Sequence, residues 1–171
     1  MAWWMPVQGS LDEPGSWILD AAIRKYVAVM RARHVYLIVD SCFSGTLFAS
    51  SRAFLPPVTD KYYAKLYGKR SRWGLTSGST EPVVDQGKDG HSVFAYHLLK
   101  VLKENEDPYL IPSRIAEQVI PLVARNADQM PRSQPLQGAS DEGGQFVLQL
   151  ASYGRGLQEQ QQRAIDETMK Q

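Results

Sequence analysis

An α/β layer fold with a mainly parallel sheet is what the sequence predicts, and three observations carry that expectation. The stretch His34–Val39 (His-Val-Tyr-Leu-Ile-Val) is aliphatic and β-branched without polar alternation, the pattern of a strand buried on both faces. Amphipathic helical periodicity precedes it and recurs after it, which gives the strand–helix alternation of a layered fold. The chain has 171 residues, 43% of them hydrophobic and 22% charged, enough for one ordinary domain with a sizeable core; wholesale disorder and a coiled coil are excluded.

The elements follow in order. Trp3-Trp4-Met5-Pro6-Val7 is apolar and runs into a turn-rich stretch, 8–15, with Gly9, Pro14 and Gly15. Ser16 stands where a helix N-cap belongs, and Trp17, Ile18, Ala21, Ala22, Tyr26, Val27 and Met30 then recur at helical spacing. Arg31 and Arg33 fall at the end of that helix, where cations complement its dipole. The strand at 34–39 leads directly into Asp40-Ser41-Cys42-Phe43-Ser44-Gly45. Residues 51–74 read as a long, exposed connection carrying Pro56-Pro57, Gly68 and six cations (Arg52, Lys61, Lys65, Lys69, Arg70, Arg72), with one helical turn around 60–66. A short strand at 73–77 ends in a Gly/Ser loop, and 81–90 is loop by composition.

Ser92 is predicted to cap a second helix, with Val93, Phe94, Leu98, Leu99 and Leu102 as its buried stripe. Ser113 is placed as the cap of a third, 114–126, which Pro121 should kink or split. A last strand is expected at 145–150, after the Gly143-Gly144 turn. Residues 157–171 read as a polar, Gln-rich helical tail. The domain is therefore expected to occupy 1–150, with 151–171 appended.

The formal charge of +1 argues against a nucleic-acid or membrane binder that relies on bulk electrostatics. No apolar run approaches the ~20 residues that span a bilayer. No secretory signal is visible, so cytoplasmic residence is expected. Cys42 is the single cysteine, which excludes an intramolecular disulfide and argues against a cysteine zinc site. No acidic cluster of the calcium-loop type is present; no metal and no cofactor are expected.

Cys42 lies just beyond the carboxyl end of the most hydrophobic strand, and in open α/β sheets sites form in the crevice there. Ser44 and Gly45 follow, and a glycine turn lets main-chain N–H groups at Cys42 face a substrate oxygen as an oxyanion hole. Position alone leaves two readings open: a reactive thiol, or a buried cysteine acting as a small hydrophobe. A phosphatase loop would place an arginine six residues after its cysteine; Phe48 stands there instead, which disfavours that chemistry.

Asp40-Ser41-Cys42-Phe43-Ser44-Gly45, with the strand before it, resembles the nucleophile segment of the caspase-like peptidases, the clan of caspases, metacaspases and their bacterial relatives. Leu75-Thr76-Ser77-Gly78, Glu81-Pro82, Gly90-His91-Ser92-Val93-Phe94, Leu98-Leu99, Gln134-Pro135 and Glu142-Gly143-Gly144-Gln145-Phe146-Val147 resemble the bacterial members in the same order, over about residues 3–150.

The resemblance implies a three-layer caspase-like fold and a cysteine endopeptidase in which the Cys42 thiolate attacks a peptide carbonyl. It implies that Asp40, with Glu81, forms an acidic S1 pocket for Arg or Lys, and that Ser77 and His91 shape neighbouring loops. With an acidic pocket, 52–72 becomes a self-cleavage segment, with Lys69-Arg70 as its scissile region. A peptide or protein substrate is the expected partner.

The family histidine is expected about 50 residues before the nucleophile. Only 41 residues precede Cys42, so the His-Gly segment and the first two strands fall before Met1, and the fold is expected to be N-terminally incomplete. Trp3-Trp4-Met5-Pro6-Val7 resembles the stretch that follows His-Gly. Of the histidines present, His34 opens the strand at the end opposite Cys42, His97 sits on a helix beside core leucines, and His91 lies in a loop that could approach the site. The rival expectation is a catalytically silent caspase-like fragment, a binding or regulatory module whose Cys42 strand offers an unpaired edge to a partner chain. A redox sensor is a third; Asp40 nearby disfavours the thiolate it requires.

Overall fold

The computed structural model describes residues 3–41, 47–48, 60–78 and 87–168. Trp3–Trp4 (β1) pairs antiparallel with Ile18–Leu19 (β2), and helix α1 spans Asp20–Val29. Ser16 does not cap that helix. It ends a 3-10 turn, Pro14–Ser16, and its hydroxyl donates to the Glu13 carbonyl. The Trp17 indole N–H reaches back to the Ser10 carbonyl at 2.8 Å, and pairing with β1 holds Ile18 and Leu19 extended, so the helix starts only at Asp20. The Asp20 carboxylate is 2% exposed in the first turn, where the helix dipole favours an anion, with an Arg24 Nη2 at 3.8 Å.

His34–Val39 (β3) runs parallel to Ser71–Thr76 (β4) in the register His34↔Ser71 to Val39↔Thr76. Before β4, Asp60–Gly68 forms a full helix, α2, not a single turn. β4 also begins two residues earlier than its composition suggested, and all six of its residues are buried.

The unexpected member is Arg72. Counted from composition among exposed cations, it is 0% exposed. Its guanidinium donates to five main-chain carbonyls: Nε to Val27 (2.9 Å), Nη1 to Arg33 (3.0 Å) and Ser71 (2.8 Å), Nη2 to Met30 (2.9 Å) and Ala32 (2.8 Å). Four of those carbonyls lie at the end of α1 and in the loop into β3, where helical pairing stops, and the fifth belongs to Ser71 of β4; Val27 and Arg33 also accept the Met30 and Ser71 N–H groups, and one arginine's five N–H donors serve all five. Arg31 and Arg33, expected to serve that helix end, are exposed beyond it.

Arg132–Pro135 (β6) completes the sheet as β3-β4-β6 and runs antiparallel to β4. The expectation of a mainly parallel sheet is thus corrected: among the described pairings only β3–β4 is parallel. The cause is the connection. Two helices, α3 (Val93–Lys103) and α4 (Pro112–Asn126), separate β4 from β6 and return the chain to the end where β4 stopped; Arg132 begins opposite Thr76.

The sheet divides two apolar clusters. Tyr36 and Leu75 pack with Phe94, Leu98, Ile115 and Val119 of α3 and α4, while Val35, Leu37 and Val39 pack with Val27 of α1, Phe48 and Leu136. Adjacent β3 residues point to opposite faces, so both faces are apolar, as its unbroken hydrophobic run required. The chain is a mixed α/β fold with small sheets. β3 is an edge strand among the described residues, and Ile38 is 43% exposed.

Ser92 caps α3 as its sequence suggested, accepting the Ala95 N–H at 2.9 Å. Ser113 does not cap α4; Pro112 opens that helix, and the Ser113 N–H donates to Gln145 Oε1 at 3.0 Å. α4 also runs unbroken through Pro121. Pro121 lies on the exposed face, where water can solvate the carbonyl its missing N–H leaves unpaired. Of the expected strand at 145–150, only Leu148–Gln149 (β7) pairs, with Tyr109–Leu110 (β5) outside the main sheet. Helix α5, Ala151–Thr168, starts earlier than the expected tail, with Tyr153 edge-on to Tyr109 at 5.5 Å. No described helix is long and apolar enough to cross a membrane.

Two partly buried histidines couple this packing to pH. The pKa of each lies below its ordinary 6.5, chiefly because burial disfavours the charged ring. The nearby Tyr67 main chain opposes the shift at His34, where Arg33 and Arg72 add to it, and Lys100 adds at His97. The unfolded chain takes up these protons near pH 6.5 and the folded chain only at lower pH. Their contribution to stability is complete above about 6.5 and is lost as pH falls from there toward the folded values. Urea midpoints are expected to drop between pH 7.5 and 5.5, and His97→Leu to flatten that slope.

Candidate functional site

The carboxyl ends of β3 and β4 are level, because Val39 lies opposite Thr76, and Asp40 and Ser77 follow them side by side. The Ser77 N–H donates to the Val39 carbonyl at 2.9 Å. Its buried hydroxyl donates to the Ser41 carbonyl at 3.4 Å, and its own carbonyl accepts the Gln129 side-chain amide at 2.9 Å. The Thr76 hydroxyl donates to the Gly78 carbonyl at 2.8 Å. The Ser77 hydroxyl thereby ties the end of β4 to Ser41, the residue before Cys42. Cys42 itself and Glu81 lie outside the described residues.

Asp40 is exposed, and its Oδ2 accepts the Ser92 hydroxyl at 2.5 Å. A tight turn places that serine. The His91 N–H bonds the Lys88 carbonyl at 3.1 Å across Asp89 and Gly90, with φ of 57° and 77°. An Asp-Gly pair suits this left-handed turn because both central residues need positive φ. Gly87 presses against the turn from outside, where an added Cβ would stand 2.5 Å from the His91 carbonyl oxygen. His91 is exposed beside Ser92, and among the described residues its imidazole makes no hydrogen bond.

Asp40, Ser41, Ser77, His91 and Ser92 are therefore gathered at one end of the sheet by bonds spanning 36 and 52 residues of sequence. His34 and His97 are not among them. His34 starts β3, roughly 20 Å from Asp40 at ~3.3 Å per residue, with its ring 4.7 Å from Tyr67 and Nδ1 3.3 Å from Ser71 Oγ. His97 packs its ring edge-on to Tyr96 on α3.

Two participants escaped the sequence reading. Gln129 is 1% exposed and holds the Ser77 carbonyl, and Ser92 was legible as a helix cap but not as the partner of Asp40. A buried glutamine followed closely by Pro131 carries no local signal that would have marked it. Among the described residues no group of three or more His, Cys, Asp or Glu side chains could hold a metal ion. A cavity of about 380 Å³ lies elsewhere, toward the start of β3, lined by Tyr63, Ala64, Tyr67, Tyr109, Val147 and Gln149. No protein-family model, curated protein or solved structure matches the chain.

Proposed function

We propose that this chain is the nucleophile-bearing part of a caspase-like cysteine endopeptidase of three-layer architecture, cutting after Arg or Lys. One observation carries the reading. Asp40, two residues before Cys42, stands exposed at the carboxyl end of the parallel β3–β4 pair with its carboxylate held by Ser92. The convergence of the Asp-Ser-Cys, Leu-Thr-Ser and Gly-His-Ser segments on one sheet end supports it, since those are three of the segments on which the resemblance rests.

In this mechanism Asp40 accepts the cationic side chain of the residue before the cut through a charge-assisted hydrogen bond. That contact sets the scissile carbonyl over Cys42. The thiolate adds to the carbonyl carbon, main-chain N–H groups at Cys42 hold the oxyanion, and collapse expels the amine with a proton from a histidine. Water then hydrolyses the acyl-enzyme, returning the thiol. The histidine comes from sequence upstream of Met1, on a strand laid along the side of β3 that is open among the described residues. The Arg33 and Val39 carbonyls bond toward β4, so the main-chain groups of His34, Tyr36 and Ile38 face that open side. Self-cleavage is confined to 52–70, since Arg72 is sealed in β4.

The same open edge favours a second reading, a catalytically silent module that pairs with a partner strand. The full-length reading frame should be assayed on fluorogenic peptides ending in Arg, Lys, Leu or Asp. Hydrolysis after Arg and Lys alone is expected, with Asp40→Asn raising KM for those two roughly 10–100-fold. Silence toward all four peptides favours the module.

A further inference from the structure

We propose that Ser92 is a positioning residue for substrate selection: its hydroxyl aims the Asp40 carboxylate and thereby sets the preference for a basic side chain. This rests on the reading that Asp40 receives that side chain. A serine hydroxyl has one proton and two lone pairs. The Ala95 N–H, at 2.9 Å, takes a lone pair, and the proton goes to Asp40 Oδ2. The two bonds fix the hydroxyl rotor, so the direction of the donated proton is set by the start of α3, an 11-residue helix.

The surroundings leave the carboxylate available. No Lys or Arg forms an ion pair with Asp40 among the described residues. Lys88, a cation of the adjacent turn, has its Nζ 5.4 Å from the centre of the Tyr96 ring, in a cation–π contact. Asp40 is exposed, and among the described residues its side chain is hydrogen-bonded through Oδ2 alone, with Oδ1 the oxygen to face an incoming guanidinium or ammonium.

Capping and donation are separable by substitution. Ser92→Ala removes both. Ser92→Asp keeps the acceptor for the Ala95 N–H but has no proton to give Asp40, and Ser92→Asn keeps the acceptor and supplies an N–H donor. The probe is benzamidine, with benzamide as its neutral counterpart, titrated by NMR into the 171-residue chain so that the readout is binding and not turnover.

Wild type and Ser92→Asn are expected to bind benzamidine in preference to benzamide. Asp40→Asn should lose that preference. Ser92→Ala and Ser92→Asp should bind benzamidine about tenfold more weakly. Ser92→Asp should nonetheless melt within a few degrees of wild type, which separates aiming from folding. Wild-type affinity in both Ser92→Ala and Ser92→Asp, with preference lost in Asp40→Asn, would overturn the role of Ser92 and leave the Asp40 pocket standing. Equal binding of benzamidine and benzamide by wild type would overturn both.

Discussion

Arg72→Ala is expected to lower the unfolding free energy by about 4 kcal/mol, through loss of five charged hydrogen bonds made by a fully buried side chain. Typical domains have only ~5–15 kcal/mol in total, so the loss removes between about a quarter and four-fifths of it. The melting midpoint should fall by roughly 10 °C. The five acceptors belong to Val27, Met30, Ala32, Arg33 and Ser71, and alanine can replace none of the donors. Arg72→Lys should recover part of the loss, because an ammonium has three donors and no planar fork. Arg114→Ala is the control. Its ion pair with Glu117 is exposed and should count for less than ~1 kcal/mol. Urea unfolding followed by circular dichroism measures all three; an Arg72→Ala variant as stable as Arg114→Ala would contradict the account.

Cys42→Ala is expected to abolish hydrolysis of Arg- and Lys-ended peptides by the full-length protein, with kcat falling on the order of 10⁴-fold or more. A methyl group cannot form the acyl-enzyme, so remaining turnover must come from water and the surrounding dipoles. KM for cleavable peptides and the affinity for benzamidine should change little, because Asp40 and Ser92 are untouched. Undiminished turnover in Cys42→Ala would remove the thiol from the mechanism whatever else the site does.

The legible parts of the chain were those with a local cause. β3 was recognisable because both its faces are apolar, which writes an unbroken hydrophobic run. α3 was recognisable from its apolar spacing and from Ser92, whose cap closes within three residues, although Leu99 and Leu102 of the expected stripe are exposed and Val101 is buried in their place. The rest depends on partners far along the sequence. Ser16 looks like a cap until β1 pairs with β2 and draws the following residues straight. Arg72 reads as a surface cation because its acceptors lie up to 45 residues earlier. β6, Arg-Ser-Gln-Pro, has little strand propensity and exists because β4 offers it an edge. At the candidate site Asp40 and Ser77 could be placed from the strand ends they follow. Gln129 and the bond from Ser92 to Asp40 could not, because each joins segments more than 50 residues apart.

The clasp around Arg72 also bears on what a broken backbone would do. α1 and β3 lie on one side of residues 49–59, and α2 and β4 on the other. Six-residue pairing between β3 and β4, together with one side chain gripping four carbonyls across the interval (Val27, Met30, Ala32 and Arg33), joins the halves without help from the intervening peptide bonds. A nick in that interval would yield two polypeptides that still travel as one particle, separating on a denaturing gel but not on a gel-filtration column.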